Sequence, residues 1–217
     1  MKLSIFWSNH CAPGQQPSDA AVRVNYAKNV TIEACNFLSS IGGYGVAIGN
    51  RTTNSRVLGC LIQHVGQGGV FMYGYDHDPN THANGAVPGN NTQPTYIEVA
   101  HNVISDIGQN LVHVAGVGLR SASHCHIHHN RISGSPRYGL QADSFFTGES
   151  GGPADNSRFN LLEFNIITDT CTKTSDCGAI EMLGSGDSNQ DGPPPGWNTA
   201  NTVRWNNISD TDRKSVV

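Results

Sequence analysis

A six-residue pattern that recurs along the chain constrains its fold more than any other feature. The pattern is an apolar residue, two residues of any type, Asn or Cys, one further residue and a second apolar residue. Repeats at spacings of a few tens of residues are typical of solenoids, in which each repeat forms one coil. The six matches are Ile32/Cys35/Phe37, Val57/Cys60/Ile62, Val99/Asn102/Ile104, Ile127/Asn130/Ile132, Leu162/Asn165/Ile167 and Val203/Asn206/Ile208.

A second pattern follows five of these matches. It consists of a small residue, an apolar residue, a residue of any type and a further apolar or small residue, at positions 45–48, 69–72, 116–119, 139–142 and 179–182. Alternate apolar residues are typical of short strands with one buried face. We therefore predict coils of two short strands each, stacked in parallel about 4.8 Å apart. The expected fold is an all-β solenoid of about five to six coils.

The Asn of the first pattern has a structural explanation. In stacked coils, an Asn at each bend can hydrogen-bond to the Asn above and below it, and so satisfy backbone groups that the turn leaves open. Cys35 and Cys60 hold this position in the first two coils. Their spacing would permit a disulfide, but two stacked, buried thiols are the preferred interpretation, because free Cys is a common small core residue.

Residues 20–210 resemble the right-handed parallel β-helix family, also called pectin-lyase-like. More narrowly, the segment CTKTSDCGAIE, from Cys171 to Glu181, is similar to the Asp-x-Gly-Ala-Ile segment of β-helix proteins related to glycoside hydrolases. The resemblance implies a right-handed, single-stranded parallel β-helix that acts on carbohydrate. Residues 1–19 would form an N-terminal extension or partial cap, and 211–217 a C-terminal tail. Because the last coil has only its first strand, we expect the chain to be a fragment.

Three coils carry long insertions at the same corner, namely Tyr73–Gln93, Asp143–Asp155 and Leu183–Ala200. Smaller bulges precede the second strand of the third and fifth coils, and they hold His113 and Asp176. Long loops in a compact domain are usually functional. The second strands should therefore form the floor of a groove between two sets of loops. The outward column of this floor is predicted to be Arg23, Ala47, Phe71, Gly118, Gln141 and Glu181, with Tyr73, Arg120, Asp143 and Leu183 in the next column.

Three carboxylates are the candidate catalytic residues: Asp143, Asp176 and Glu181. A glycosidase commonly uses two carboxyl groups, about 5–5.5 Å apart to retain configuration or about 6.5–9.5 Å apart to invert it. Asp143 and Glu181 are predicted on adjacent coils with backbones roughly 8 Å apart, so spacing favours this pair. The resemblance instead favours Asp176. Each carboxylate could also serve only in a turn or as a cap.

An exposed aromatic ring can stack on a sugar, while polar and charged side chains hold its hydroxyl groups. We therefore expect a polysaccharide or oligosaccharide partner, no cofactor, no metal site and a monomeric chain. The leading function is glycoside hydrolysis. The alternatives are a polysaccharide lyase, which would need a strong base or Ca²⁺ near the groove, and a non-catalytic glycan-binding or adhesion solenoid. The predicted substrate-binding residues are Phe71, Tyr73, His77, Arg120, Arg137, Tyr138 and Gln141.

Four histidines between His124 and His129 resemble a metal-binding cluster. Alternation of the strand predicts that His126 and His128 point outward. Glu98 and Arg56 should neighbour His126, and Glu163 and Arg204 should neighbour His128. We therefore interpret these residues as charge and hydrogen-bond pairs on a solvated sheet. Separately, Cys171 and Cys177 bracket the bulge that holds Asp176, and the sequence leaves open whether they form a disulfide or stay free.

The net charge of −4 and the pI near 6.2 provide no electrostatic attraction for nucleic acid or an anionic membrane. Apolar runs are far shorter than the roughly 20 residues that a transmembrane helix needs. At the N-terminus, the apolar run Ser4–Trp7 is shorter than the apolar region of a signal peptide, about 7–15 residues. The resemblance nevertheless implies an extracellular or periplasmic location for the full-length protein.

Overall fold

The computed structural model describes residues 20–39, 41–74, 93–120, 122–143, 157–182 and 201–211, and of Asp143 only the backbone. These residues form three parallel sheets of six strands each, with no helix among them. Each strand pairs with the equivalent strand of the next coil, so the protein is a parallel β-helix of about six coils. Among the described residues, no helix is long and apolar enough to cross a membrane.

Successive strands along the chain belong to the first, second and third sheet in turn. The first sheet contains β1 (Ala20–Val24), β4 (Tyr44–Ile48), β7 (Val70–Tyr73), β10 (Ala115–Arg120), β13 (Tyr138–Asp143) and β16 (Ile180–Met182). The second contains β2 (Thr31–Glu33), β5 (Arg56–Leu58), β8 (Glu98–Ala100), β11 (His126–His128), β14 (Leu161–Glu163) and β17 (Thr202–Arg204). The third contains β3 (Asn36–Phe37), β6 (Leu61–Gln63), β9 (Val103–Ser105), β12 (Arg131–Ser133), β15 (Ile166–Thr170) and β18 (Asn207–Thr211).

Each coil therefore has three strands, where the sequence pattern predicted two. The first pattern folds as two strands, one from the second sheet and one from the third, separated by a two-residue bend. The first residue of the bend has a positive φ, as in His101 (58°) and His129 (53°). This left-handed conformation turns the chain sharply and directs the side chain outward, while the next residue points into the interior.

The predicted Asn ladder is present at this bend. The backbone N–H and Nδ2 of Asn102 donate to Oδ1 of Asn130 at 3.1 and 2.9 Å. Asn130 donates in the same way to Asn165, and Asn165 to Asn206, at 2.9–3.0 Å. Nδ2 of Asn130 also donates to the carbonyl of Val99 at 2.8 Å. Polar groups of the buried bend are thereby satisfied without water.

The two cysteines at the start of this ladder are both free thiols. Cys60 is buried, and its backbone N–H donates to Oδ1 of Asn102 at 2.8 Å, which extends the ladder by one coil. Cys35 is exposed, so the expectation that both thiols are buried was wrong for Cys35. It belongs to the first of the six stacked bends.

A second ladder, which no repeated residue type in the sequence indicates, lies at the other end of the second sheet. Oδ1 of Asn160 accepts from the backbone N–H of Cys125 at 2.9 Å, and Oδ1 of Asn201 accepts from that of Asn160 at 3.0 Å. In an earlier coil, the hydroxyl of Ser55 accepts from the backbone N–H of Val30 at 3.1 Å. Both ends of the second sheet are therefore held by polar side chains inside the solenoid.

Glycines near the start of first-sheet strands allow close packing against the third sheet. A Cβ at Gly45, Gly69 or Gly116 would lie 2.7, 2.6 or 2.5 Å from Cγ2 of Ile62, Ile104 or Ile132, respectively. A Cβ at Gly139 would also meet Ile167. The isoleucine column therefore occupies the space that a side chain would need, and the recurrent glycine of the second sequence pattern follows from this contact.

The outward face of the second sheet has the predicted register. Glu98 pairs with His126 and Arg56, and Glu163 pairs with His128 and Arg204. The hydrogen bonds run diagonally: His126 Nε2 lies 2.9 Å from Glu163 Oε1, and His128 Nε2 lies 3.1 Å from Glu98 Oε1. The prediction of charge and hydrogen-bond pairs on this sheet is confirmed.

Candidate functional site

The alternation of side chains is interrupted near the start of β13. A Cβ on Gly139 would point toward Ile167 in the interior, and the next residue, Leu140, is also fully buried inside. Two consecutive positions thus face inward. Tyr138 and Gln141, on either side of this pair, are consequently brought to the outward side of the same strand, where both contact one residue of β16.

That residue is Glu181, which lies next to Gln141 in the register of the two strands. Nε2 of Gln141 donates to Oε2 of Glu181 at 2.7 Å, and the hydroxyl of Tyr138 donates to Oε1 at 2.6 Å. Tyr138 and Gln141 are buried, so they hold the carboxylate in a defined position. Burial, followed by the hydrogen bond to Glu181, raises the pKa of Tyr138, and the phenol therefore remains a donor at neutral pH.

Arg137 joins the second candidate carboxylate to this group. Its guanidinium lies 4.7 Å from the centroid of the Tyr138 ring and forms an ion pair with Asp176. The Arg137 side chain is only 12% exposed, whereas Asp176 is 81% exposed. A disulfide between Cys171 and Cys177, with Cα atoms 5.5 Å apart, closes the segment that carries Asp176. Of the two states that the sequence left open, Cys171 and Cys177 therefore adopt the disulfide.

His113, which was not among the predicted site residues, is part of the same cluster. Its ring centroid lies 6.4 Å from that of Tyr138. Burial lowers the pKa of His113, as do the positive charges of Arg137 and Arg120, while Glu181 and Asp176 act in the opposite direction. Two arginines and two carboxylates are thus close enough to act on one imidazole. The available sequence signal was the bulge before β10, which holds this histidine.

Asp143, the third candidate carboxylate, ends β13 on the far side of Gln141. Its backbone pairs with Arg120, which in turn pairs with Tyr73, so the predicted second column is confirmed for these three positions. Since Tyr138 and Asp143 are five residues apart on one strand, the rise of about 3.3 Å per residue separates their backbones by about 16 Å. The side chain of Asp143 and all of His77 lie outside the described residues.

The predicted aromatic residues of the groove form one stack. Phe71, which is partly exposed, lies 4.8 Å from Tyr44 and 6.1 Å from Tyr73 between ring centroids. Tyr73 is fully buried, and its hydroxyl donates to Asn25 Oδ1 at 2.8 Å. This burial does not favour a direct contact between Tyr73 and a ligand, so Phe71 is the better candidate for stacking on a sugar.

The first sheet therefore offers a floor with one firmly held carboxylate, Glu181, between two further candidate carboxylates. Toward Asp176 it is flanked by Arg137, Tyr138 and His113, and toward Asp143 by Gln141 and Arg120. Such a surface can bind hydroxyl groups and transfer protons. In the described parts of the chain, the side chains spaced for a metal ion are three histidines at the end of the second sheet and in the bend that follows it, outside this group.

The fold and this arrangement define the class as a parallel β-helix with a polar, carboxylate-bearing first sheet. Comparison of the chain with protein families, curated proteins and solved structures found no significant match. The functional assignment therefore depends on the chemistry of the side chains themselves.

Proposed function

We propose that this β-helix hydrolyses glycosidic bonds in a polysaccharide or oligosaccharide that binds along the first sheet. The proposal depends on one observation: the two carboxylate oxygens of Glu181 accept hydrogen bonds from Tyr138 and Gln141 at 2.6 and 2.7 Å. A general base must be held in position relative to the water that it activates. These two hydrogen bonds supply that positioning on the outward side of the first sheet.

Glu181 is the base in this proposal, and Asp143 is the acid that protonates the leaving oxygen. Gln141 pairs with Glu181, and Asp143 lies two positions further along β13. The strand spacing of about 4.8 Å and two rises of about 3.3 Å separate the two backbones by about 8 Å. A backbone separation of this size is compatible with the roughly 6.5–9.5 Å between the carboxyl groups of inverting enzymes.

Asp176 has a different role in this proposal. Its carboxylate already forms an ion pair with Arg137, and the Arg137 guanidinium lies over the ring of Tyr138. Asp176 therefore positions Arg137, and through it Tyr138, while Phe71 and Arg120 contact the sugar. The resemblance to β-helix hydrolases through the segment around Asp176 favours the opposite assignment, with Asp176 as a catalytic carboxylate. Separate variants distinguish the two.

The test measures release of reducing ends from a panel of polysaccharides by the wild type and by Glu181→Gln, Asp143→Asn and Asp176→Asn. General acid or base catalysis contributes about 10²–10⁴-fold, so the first two variants should lose activity by that factor. Asp176→Asn should mainly raise KM. Glu33→Gln is the matched control, because Glu33 is an exposed carboxylate of the second sheet. Full activity in both Glu181→Gln and Asp143→Asn would refute the proposed mechanism.

The same panel separates the other candidate functions. A lyase would form an unsaturated product that absorbs in the ultraviolet, and its activity should survive Glu181→Gln if an arginine is the base. A non-catalytic glycan-binding protein would retain a glycan in a pull-down or calorimetric titration, without any cleavage. The disulfide between Cys171 and Cys177 fits the proposed extracellular or periplasmic location, since disulfides persist in oxidising compartments.

A further inference from the structure

Three histidines meet on the outer surface where the second sheet bends into the third. His101 and His129 occupy equivalent positions of the bend on adjacent coils, and their rings stack with centroids 5.0 Å apart. The ring of His128, at the end of β11, is nearly perpendicular to both, with centroids 5.7 Å from His101 and 5.1 Å from His129. One nitrogen from each of the three rings lies within 4.8 Å of the other two. We propose that these residues form a binding site for Zn²⁺ or a similar divalent transition metal ion.

The hydrogen bond of His128 to Glu98 prepares one ligand atom. Nε2 of His128 lies 3.1 Å from Oε1 of Glu98. In a neutral imidazole bonded to an ionised carboxylate, Nε2 carries the hydrogen and Nδ1 keeps its lone pair. Metal-ligating histidines almost always donate their other ring N–H to a carboxylate, a carbonyl or water, which fixes the tautomer and orientation of the ring. Glu98 provides this support to His128.

The second ligand atom already points at the first. Nδ1 of His129 lies 2.8 Å from Nδ1 of His128. Without a metal, the hydrogen between these atoms belongs to His129, because the lone pair of His128 accepts it. If this hydrogen moves to Nε2 of His129, the lone pairs on Nδ1 of both His128 and His129 can be directed at one metal ion. The pair must then open modestly, since Zn–N bonds of about 2.0–2.1 Å place tetrahedral ligands about 3.3 Å apart.

The types of donor determine the class of metal ion. Three neutral imidazoles without a thiolate suit Zn²⁺, Cu²⁺ or Ni²⁺ rather than the hard ions Mg²⁺ and Ca²⁺, which prefer oxygen ligands. His101 and His129 are exposed, so an ion can enter from solvent and keep a water molecule as its fourth ligand. Because His101 belongs to the third coil and the other two to the fourth, a bound ion would link neighbouring coils.

The test is calorimetric titration of ZnCl₂ into chelator-treated, full-length chain. The wild type should bind at least one Zn²⁺ ion per chain. His101→Ala should bind one ion fewer than the wild type, and so should His128→Ala. Glu98→Gln should weaken that binding about 10–100-fold, the usual effect of removing a carboxylate that supports a ligand. Circular dichroism of each variant should match the wild type, because His101 is exposed and its removal leaves the buried Asn ladder intact.

His124→Ala is the matched control. His124 lies in a similar exposed stack at the other end of β11, with its ring 4.9 Å from Tyr96 and 5.1 Å from Phe159 between centroids. Its removal should leave Zn²⁺ affinity unchanged. Cu²⁺ binds imidazole sites more tightly than Zn²⁺, so His128 and His129 should still hold it in His101→Ala. Electron paramagnetic resonance of bound Cu²⁺ should therefore detect three imidazole nitrogens in the wild type and two in that variant. Wild type that binds no Zn²⁺, or His101→Ala and His128→Ala variants with wild-type affinity and stoichiometry, would overturn the proposal.

Discussion

The contact between the glycines of the first sheet and the isoleucines of the third predicts a large effect for a very small substitution. In Gly116→Ala, the added Cβ would lie 2.5 Å from Cγ2 of Ile132 and 2.8 Å from the carbonyl oxygen of Gly139. Carbon atoms pack best at about 3.5–4.0 Å. The methyl group therefore requires a displacement of about 1 Å, and one of the two obstacles is the backbone of the neighbouring coil.

Overpacking of this kind costs about 1–3 kcal/mol. Alanine also restricts the unfolded chain, which returns about 0.4–1 kcal/mol at a position that tolerates it. We therefore expect Gly116→Ala to lower the free energy of unfolding by about 1–2 kcal/mol. For a domain of this size, such a loss corresponds to a decrease in Tm of about 2–8 °C. The measurement is urea unfolding followed by circular dichroism, supported by a thermal scan.

Gly178→Ala is the matched control, because the nearest atom to its added Cβ is the carbonyl oxygen of Ile180 at 3.6 Å, an ordinary contact. Its stability should stay within about 0.5 kcal/mol of wild type. A double-mutant cycle with Ile132→Ala tests the cause, since removal of Cγ2 takes away one obstacle and the two effects should not add. Equal stabilities of the two glycine variants, or strict additivity in the cycle, would refute the packing explanation.

Three further predictions concern the ladder, the buried phenol and the disulfide. Asn130→Ala leaves the backbone N–H of Asn102 and the carbonyl of Val99 without their hydrogen-bond partner. At about 1–3 kcal/mol for each buried group, the free energy of unfolding should fall by about 2–6 kcal/mol. Urea unfolding measures this, and a decrease below about 1 kcal/mol would contradict the explanation. The pKa of Tyr138 is raised above 10.0 in the fold, so the unfolded chain releases this proton at a lower pH than the folded chain. Stability should therefore fall as the pH rises above 10.0, and it should fall less in Tyr138→Phe. The unfolding midpoints of wild type and variant should diverge between pH 9 and 11, about one unit on either side of the ordinary phenol pKa, and parallel curves would exclude the linkage. Cys171→Ala with Cys177→Ala should lower stability by about 2 kcal/mol through the lost closure of a short loop, and an unchanged urea midpoint would contradict that.

The sequence was sufficient to predict the stacking of the coils, because each repeat fixes several positions at once. The Asn ladder and the column from Arg23 to Glu181 follow directly from aligning the repeats, and both are present. The third strand of each coil was missed because only two residues separate β11 from β12. The second ladder was missed because its positions hold unlike residues, such as Ser55, Cys125 and Asn160, so no single letter repeats.

The candidate site was less predictable than the register. Alignment alone places Gln141 beside Glu181, but it also predicts that Tyr138 faces away from Gln141 under strict alternation. Gly139 and Leu140 both face inward, and this local interruption brings the Tyr138 hydroxyl to Glu181. Contacts between side chains of this kind depend on the backbone path over two residues, which hydrophobic periodicity does not specify.

The histidines illustrate a signal that the sequence contained and local reasoning overlooked. His124, His126, His128 and His129 lie close together in the chain, yet strand alternation and the bend separate them into different columns. The repeat alignment that places Asn102 over Asn130 also places His101 over His129, 28 residues apart. The proposed metal site therefore crosses coils, as does the hydrogen bonding of Glu181 to β13. In a solenoid, stability is approximately a sum of coil and interface contributions, so a metal ion held by His101 and His129 should strengthen the interface of the third and fourth coils. Glu181 and its partners join the fifth and sixth coils, and the proposed hydrolysis should consequently not depend on the ion.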